Sequence, residues 1–197
     1  MPWLSPQLLE DVAEETANAS IGDLNGDGHP DIVLAKGRHQ PAKDVVLLSD
    51  GNGHFTAGPP LPNPPDRSYS APLADLDGDG YLDIVLSNDS PDPKMILLND
   101  GQAHFTVGGT FGDPNWPTRN VTRADLNGDG RADIAVANRG GPNYVCLNDG
   151  HARFPQCERL GPESAATIAV GDMDGDGAPD LVAARSGAPS IVFSIDS

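Results

Sequence analysis

The chain has 197 residues, of which 23 are Gly and 19 Pro; turn formers at that density exclude long helices, and no apolar run approaches the roughly 18–20 residues of a membrane span. Twenty-nine acidic residues against 12 basic ones leave a net charge of −17, which excludes a nucleic-acid partner because a field of that sign repels phosphate. The length suits one domain, taken here as 1–197, and Met1-Pro2-Trp3-Leu4-Ser5 lacks the basic and apolar regions of a signal peptide.

In chain order the first feature is Trp3, 20 residues ahead of an acidic segment at 23–31 (DLNGDGHPD). An apolar run, Ile32-Val33-Leu34-Ala35, follows, then a polar loop, a second run at 45–48, an Asp50-Gly51 turn and Phe55. The same series begins again at 75–83 (DLDGDGYLD) and ends on Asp100-Gly101 and Phe105. It begins a third time at 125–133 (DLNGDGRAD) and ends on Asp149-Gly150 and Phe154. The fourth copy starts at 172–180 (DMDGDGAPD), and the chain stops at Ser197, where its Asp-Gly turn is due. Asp-Gly between apolar runs is a strong hairpin signal. Each unit therefore reads as four short antiparallel strands, and four-stranded units of about 40–50 residues are β-propeller blades.

The expected fold is an all-β propeller of four four-stranded blades. Trp3 occupies the repeat position of Phe55, Phe105 and Phe154, while the fourth repeat lacks its outer strand. The N-terminal strand is thus expected to close the last blade and cover a sheet edge. Two geometries satisfy this: four blades closing in one chain, a monomer, which is preferred because it needs no partner, or a strand-exchanged homodimer sharing an eight-bladed ring.

The acidic segments hold 14 of the 29 carboxylates. Their pattern, D-x-[DN]-x-D-G-x-x-D, places side-chain oxygens at positions 1, 3, 5 and 9, and position 7 offers a backbone carbonyl. Ca²⁺ takes about 6–8 oxygen ligands, and three or four carboxylates this close repel one another without a cation. Four Ca²⁺ sites follow. The first comprises Asp23, Asn25, Asp27, His29 and Asp31, and the second Asp75, Asp77, Asp79, Tyr81 and Asp83. The third comprises Asp125, Asn127, Asp129, Arg131 and Asp133, and the fourth Asp172, Asp174, Asp176, Ala178 and Asp180. An EF-hand is excluded: position 12 holds Leu34, Leu86, Val136 and Ala183 rather than Glu.

These segments, each followed by an apolar pair, resemble FG-GAP/VCBS repeats, as found in integrin α-subunit propellers and in propeller lectins of fungi and bacteria. The resemblance implies that each acidic loop joins strands 1 and 2 of its blade and binds Ca²⁺. It also implies that partners, glycan or protein, meet the opposite rim through strand 2–3 and blade-to-blade loops. Such propellers usually have seven blades, so four repeats are a departure that leaves room for a fragment of a larger ring.

On that opposite rim Trp116, Arg119, Arg38 and Arg139 are the candidate ligand-binding residues; Trp116, in a Pro-rich loop, reads equally as a ring packed over a blade junction. His54 and His104 share one repeat slot, which suggests structure, and no G-x-S-x-G, H-E-x-x-H or phosphate loop is present. The expected function is a non-catalytic recognition or adhesion module, not an enzyme. The alternatives are an accessory or catalytic propeller of a polysaccharide-active enzyme, or a structural fragment. Cys146 and Cys157 flank one turn, and a disulfide and two reduced thiols both fit. Millimolar external Ca²⁺ suits such loops, so a secreted or cell-surface location is expected.

Overall fold

The computed structural model describes residues 8–11, 13–161 and 164–195. Each β-branched run becomes a strand, and the strands form four antiparallel sheets, one per repeat, arranged as a four-blade β-propeller. Blade 1 is β1 (Thr16–Gly22), β2 (Asp31–Lys36), β3 (Val45–Ser49) and β4 (Phe55–Ala57). Blade 2 is β5 (Ser68–Ser70), β6 (Leu73–Ala74), β7 (Asp83–Asn88), β8 (Lys94–Asn99) and β9 (Phe105–Phe111). Its innermost strand is split at Ala71-Pro72, where proline has no N–H to give the ladder; Pro72 still accepts from Val85 N at 3.0 Å. Blade 3 is β10 (Thr118–Ala124), β11 (Asp133–Asn138), β12 (Asn143–Leu147) and β13 (Gln156–Leu160). Blade 4 is β14 (Thr167–Gly171), β15 (Asp180–Ala184) and β16 (Ile191–Phe193). It has three strands among the described residues; the expected fourth, around Trp3, lies outside them.

The apolar content of the second strands follows from where they sit. β7 and β11 are buried at every residue, because each is sandwiched between two neighbouring blades and successive side chains enter opposite junctions. Val33 and Val46 of blade 1 meet Ile84, Leu86 and Leu97 of blade 2. Val85 and Ile96 on the other face of blade 2 meet Ile134, Val136 and Cys146 of blade 3. Ala135 and Ala137 then meet Ile168, Leu181 and Ala183 of blade 4. The paired residues at the corresponding place on the far face of blade 4 are Val182 and Val192. Val192 is 49% exposed and Met173 60%, whereas Leu24 and Leu76, at the place of Met173 in earlier repeats, are 0% and 2% exposed. Among the described residues no apolar cluster joins blade 4 to blade 1.

Phe55 and Phe105 open the outer strands as expected, but Phe154 lies in the turn before β13. Pro155 follows it and cannot donate to the ladder, so the strand starts two residues later, at Gln156, and Phe154 packs instead against Phe111, with ring centroids 6.1 Å apart. Cys146 and Cys157 face each other across β12 and β13 and form a disulfide. Among the described residues no helix is long and apolar enough to cross a membrane.

Candidate functional site

The two ends of the propeller are chemically distinct. Every acidic loop leaves the C-terminal end of an innermost strand and re-enters the sheet at its ninth residue. The closing pairs are Gly22 with Asp31, Ala74 with Asp83, Ala124 with Asp133 and Gly171 with Asp180. All four loops therefore stand on one rim with the same register.

Within each loop the backbone wraps around the carboxylates. Asp23 accepts from Gly26 N at 2.8 Å and Gly28 N at 2.9 Å, and Asp75, Asp125 and Asp172 repeat both bonds. Gly28, at φ 83, adopts the left-handed conformation that brings its N–H round to Asp23. Side chains at positions 3 and 5 each cap the amide two residues on, as in Asn25 to Asp27 N and Asp27 to His29 N. The His29 amide and the Asn25 side chain hold the Asp27 carboxyl below the usual carboxylate range. Position 9 is the inner wall. Asp31, Asp83, Asp133 and Asp180 are wholly buried, and each accepts one amide from its own loop and one from the end of its blade. Burial pushes Asp83 up to about 6, the charges of Asp77 and Asp79 adding to the push against the amides of Asn99 and Leu76.

In the second and fourth loops, oxygens of Asp75, Asp77 and Asp83, and of Asp172, Asp174 and Asp180, lie within 4.8 Å of one another. The first and third loops have Asn at position 3 and so one carboxylate fewer. All twenty expected loop residues are thus gathered into four sets, whose oxygen-only side-chain donors fit a hard divalent cation. The third set carries a departure: the Arg131 guanidinium pairs with the Asp129 carboxylate.

Position 7 has a role the repeat pattern does not reveal. His29, Tyr81 and Arg131 lie over the Gly of their own blade's Asp-Gly turn, so that a Cβ on Gly101 would come within 2.5 Å of the Tyr81 ring. A second device ties the first and second loops to the next blade. Asn99 Nδ2 and Ala103 N both donate to Leu24 O, at 2.9 Å, and Asn148 Nδ2 and Ala152 N repeat this on Leu76 O. The recurrence of Asn just ahead of the Asp-Gly turn in two repeats was the available sequence signal.

The opposite rim varies from blade to blade. A cavity of about 510 Å³ opens there on the propeller axis, lined by residues of all four blades. Arg38, Arg119 and Arg139 line it, together with His39 and Tyr69. The Arg119 guanidinium lies 4.2 Å from the Tyr69 ring centroid and pairs with Asp89 at 2.6 Å. Tyr69 Oη and His39 Nδ1 are 3.2 Å apart.

Trp116 is elsewhere. Its ring stacks on Tyr144 at 3.9 Å and 14° and covers Gly112, where a Cβ would come within 2.2 Å of it. It is a half-buried member of the core between blades 2 and 3, so the junction-packing alternative describes it. Its carbonyl accepts from Lys94 Nζ at 2.7 Å, and burial lowers that ammonium to about 8.

Lys36, Asn88 and Asn138, the last residues of β2, β7 and β11, are buried on this rim. Beside them in blade 1, Asp44 accepts from Lys36 N, Ser68 Oγ and Asn63 Nδ2. Burial and the neighbouring Asp66 charge push Asp44 up to about 7.

Comparison with known proteins bears on the repeat and on the fold. A family model described as FG-GAP-like repeat matches residues 23–86, 75–136 and 125–183, so the three matches together span all four acidic loops. No curated protein matches the chain by sequence. Among solved structures, a lectin of Agrocybe aegerita, reported for its specific recognition of non-reducing terminal N-acetylglucosamine, superposes with a TM-score of 0.58 at 22% identity. The match covers 89% of this chain and 51% of the lectin's, so the chain spans about half that protein's length.

Proposed function

The chain belongs to the FG-GAP-like repeat family, and from that premise we propose that it is a calcium-binding propeller acting as a non-catalytic recognition module for a glycan or protein ligand. The observation that carries the reading is the fourfold repetition of one oxygen-only cradle on one rim, beside an opposite rim whose side chains vary among the blades. A bound Ca²⁺ supplies structural cross-linking of the loop: side chains at positions 1, 3, 5 and 9 and the carbonyl at position 7 are the residues to hold it. Four ions bring the formal charge from −17 to −9, reducing self-repulsion. The carboxylates of the loops already accept amides of their own loops, which suits a cation site better than proton transfer. The Cys146–Cys157 disulfide fits a secreted or cell-surface location, where such bonds persist.

Equilibrium dialysis with metal analysis tests the metal assignment. The expected result is four Ca²⁺ per chain, falling by one in each of D27A, D79A, D129A and D176A; a stoichiometry of zero to one overturns it. The third site is expected to be the weakest, because Arg131 competes for Asp129.

A second reading concerns the ring rather than the ligand. The exposed Met173 and Val192, with half the lectin's length covered, favour a blade 4 that packs on further blades. Light scattering decides: a mass near 20.5 kDa is expected for the preferred single-chain ring, and twice that for a ring shared by two copies.

A further inference from the structure

Resting on that reading as a recognition module, we propose that the axial cavity opposite the metal loops binds an anionic saccharide, a sugar carrying one carboxylate or sulfate. The charge distribution points there. Acidic residues outnumber basic ones 29 to 12 in the chain, yet the residues lining this cavity include three arginines and no Asp or Glu. Arg38 follows β2 of blade 1, while Arg119 in β10 and Arg139 after β11 come from separate segments of blade 3, so their convergence is a property of the fold and of no single loop.

The three play different parts. Arg119 is held in place by Tyr69 beneath it and by Asp89 at 2.6 Å, and its Nε is buried without a partner. Arg38 and Arg139 have no ion-pair partner among the described residues. Arg38 also sits at φ 39, a conformation that costs a non-glycine residue energy and recurs where side chains are held for function. A guanidinium offers a planar fork of N–H donors that matches a carboxylate or sulfate edge.

The rest of the lining suits a sugar ring. Asn18, Ser70, Thr167 and Ser186 bring amide and hydroxyl groups able to bond sugar hydroxyls. A volume of about 510 Å³ lies in the range of small-molecule sites. The surrounding net charge of −17 selects against a polyanion, whose distant charges meet repulsion, and leaves a single anionic group close to the arginines as the favoured case.

Calorimetric titration of the calcium-loaded protein tests this with four probes: a glucuronate-terminated trisaccharide, a 6-sulfoglucose-terminated one, a glucose-terminated one and inorganic sulfate. The expected result is binding of at least one acidic saccharide, at least tenfold tighter than both the neutral sugar and sulfate. R38Q and R139Q are expected each to weaken it at least fivefold without altering calcium stoichiometry or the melt. Equal affinity for the neutral sugar, affinity for sulfate matching the saccharide, indifference to R38Q and R139Q, or no binding of either acidic sugar overturns the proposal. Neutral-sugar binding with no acidic binding sinks this inference while leaving the recognition module standing. Loss of the module reading itself shows separately, as silence of calcium-loaded protein toward neutral glycans and protein extracts alike.

Discussion

The two rims of this propeller differ in what repeats. On the acidic rim every blade presents the same nine-residue loop, closed in the same register with the same bonds from Gly amides to the first Asp. On the opposite rim one repeat position is Asp44 in blade 1, Lys94 in blade 2 and Asn143 in blade 3, all buried. Repetition marks a need common to all blades, which is to hold crowded negative charge in a folded corner. Variation marks residues free to differ, some used to fit neighbouring segments together and some to line the cavity.

Removing the proposed Ca²⁺ strikes the repeated rim and has the largest expected effect. Binding to the native state alone adds about 2.7 kcal/mol per site at a hundredfold excess over Kd. Chelation with EGTA is therefore expected to lower the melting temperature by well over 10 °C, read by circular dichroism. A melt unchanged by EGTA removes the distinction between the rims.

The next effect belongs to the variable rim and to pH. Asp44 keeps its proton to about 7 in the folded chain but loses it near 3.9 when unfolded. Between those values the native state binds more protons, so this group's contribution favours folding at the acid end and is lost as pH rises toward 7. At about 1.4 kcal/mol per unit, the loss amounts to roughly 4 kcal/mol at most. D44N is expected to melt with a shallower decline between pH 4 and 7 than the parent, both in saturating calcium; parallel curves contradict the burial argument.

The smallest effect sharpens the comparison within the variable rim. W116A loses the stack on Tyr144 and part of an apolar junction, which is expected to cost about 2 kcal/mol in denaturant unfolding. Saccharide affinity should stay as in the parent, since Trp116 does not line the axial cavity. Weakened binding at unchanged stability would return Trp116 to the ligand site.

Much of the blade was legible before any coordinates. The acidic segments, the apolar runs and the Asp-Gly turns are local signals whose spacing survives from repeat to repeat, and Phe55 and Phe105 open the strands assigned to them. Phe154 misses by two residues because Pro155 moves the start of the ladder, an effect a repeat alignment averages away. Asn99 and Asn148 stand just ahead of the Asp-Gly turns; that they reach back to Leu24 and Leu76 depends on the neighbouring blade being there.

The sequence by itself determined the strand order, the blade count and the four oxygen sets, since each rests on residues within about fifty positions of one another and on steric and electrostatic rules that act locally. Tertiary structure alone decided which of the scattered charged residues share a site. Arg38, Arg119 and Arg139 are brought to one cavity, Trp116 is turned into a junction, and Asp44 is buried beside Asp66. Those outcomes depend on how blades pack around an axis, where residues far apart in the chain become neighbours and the dielectric they feel is set by what covers them.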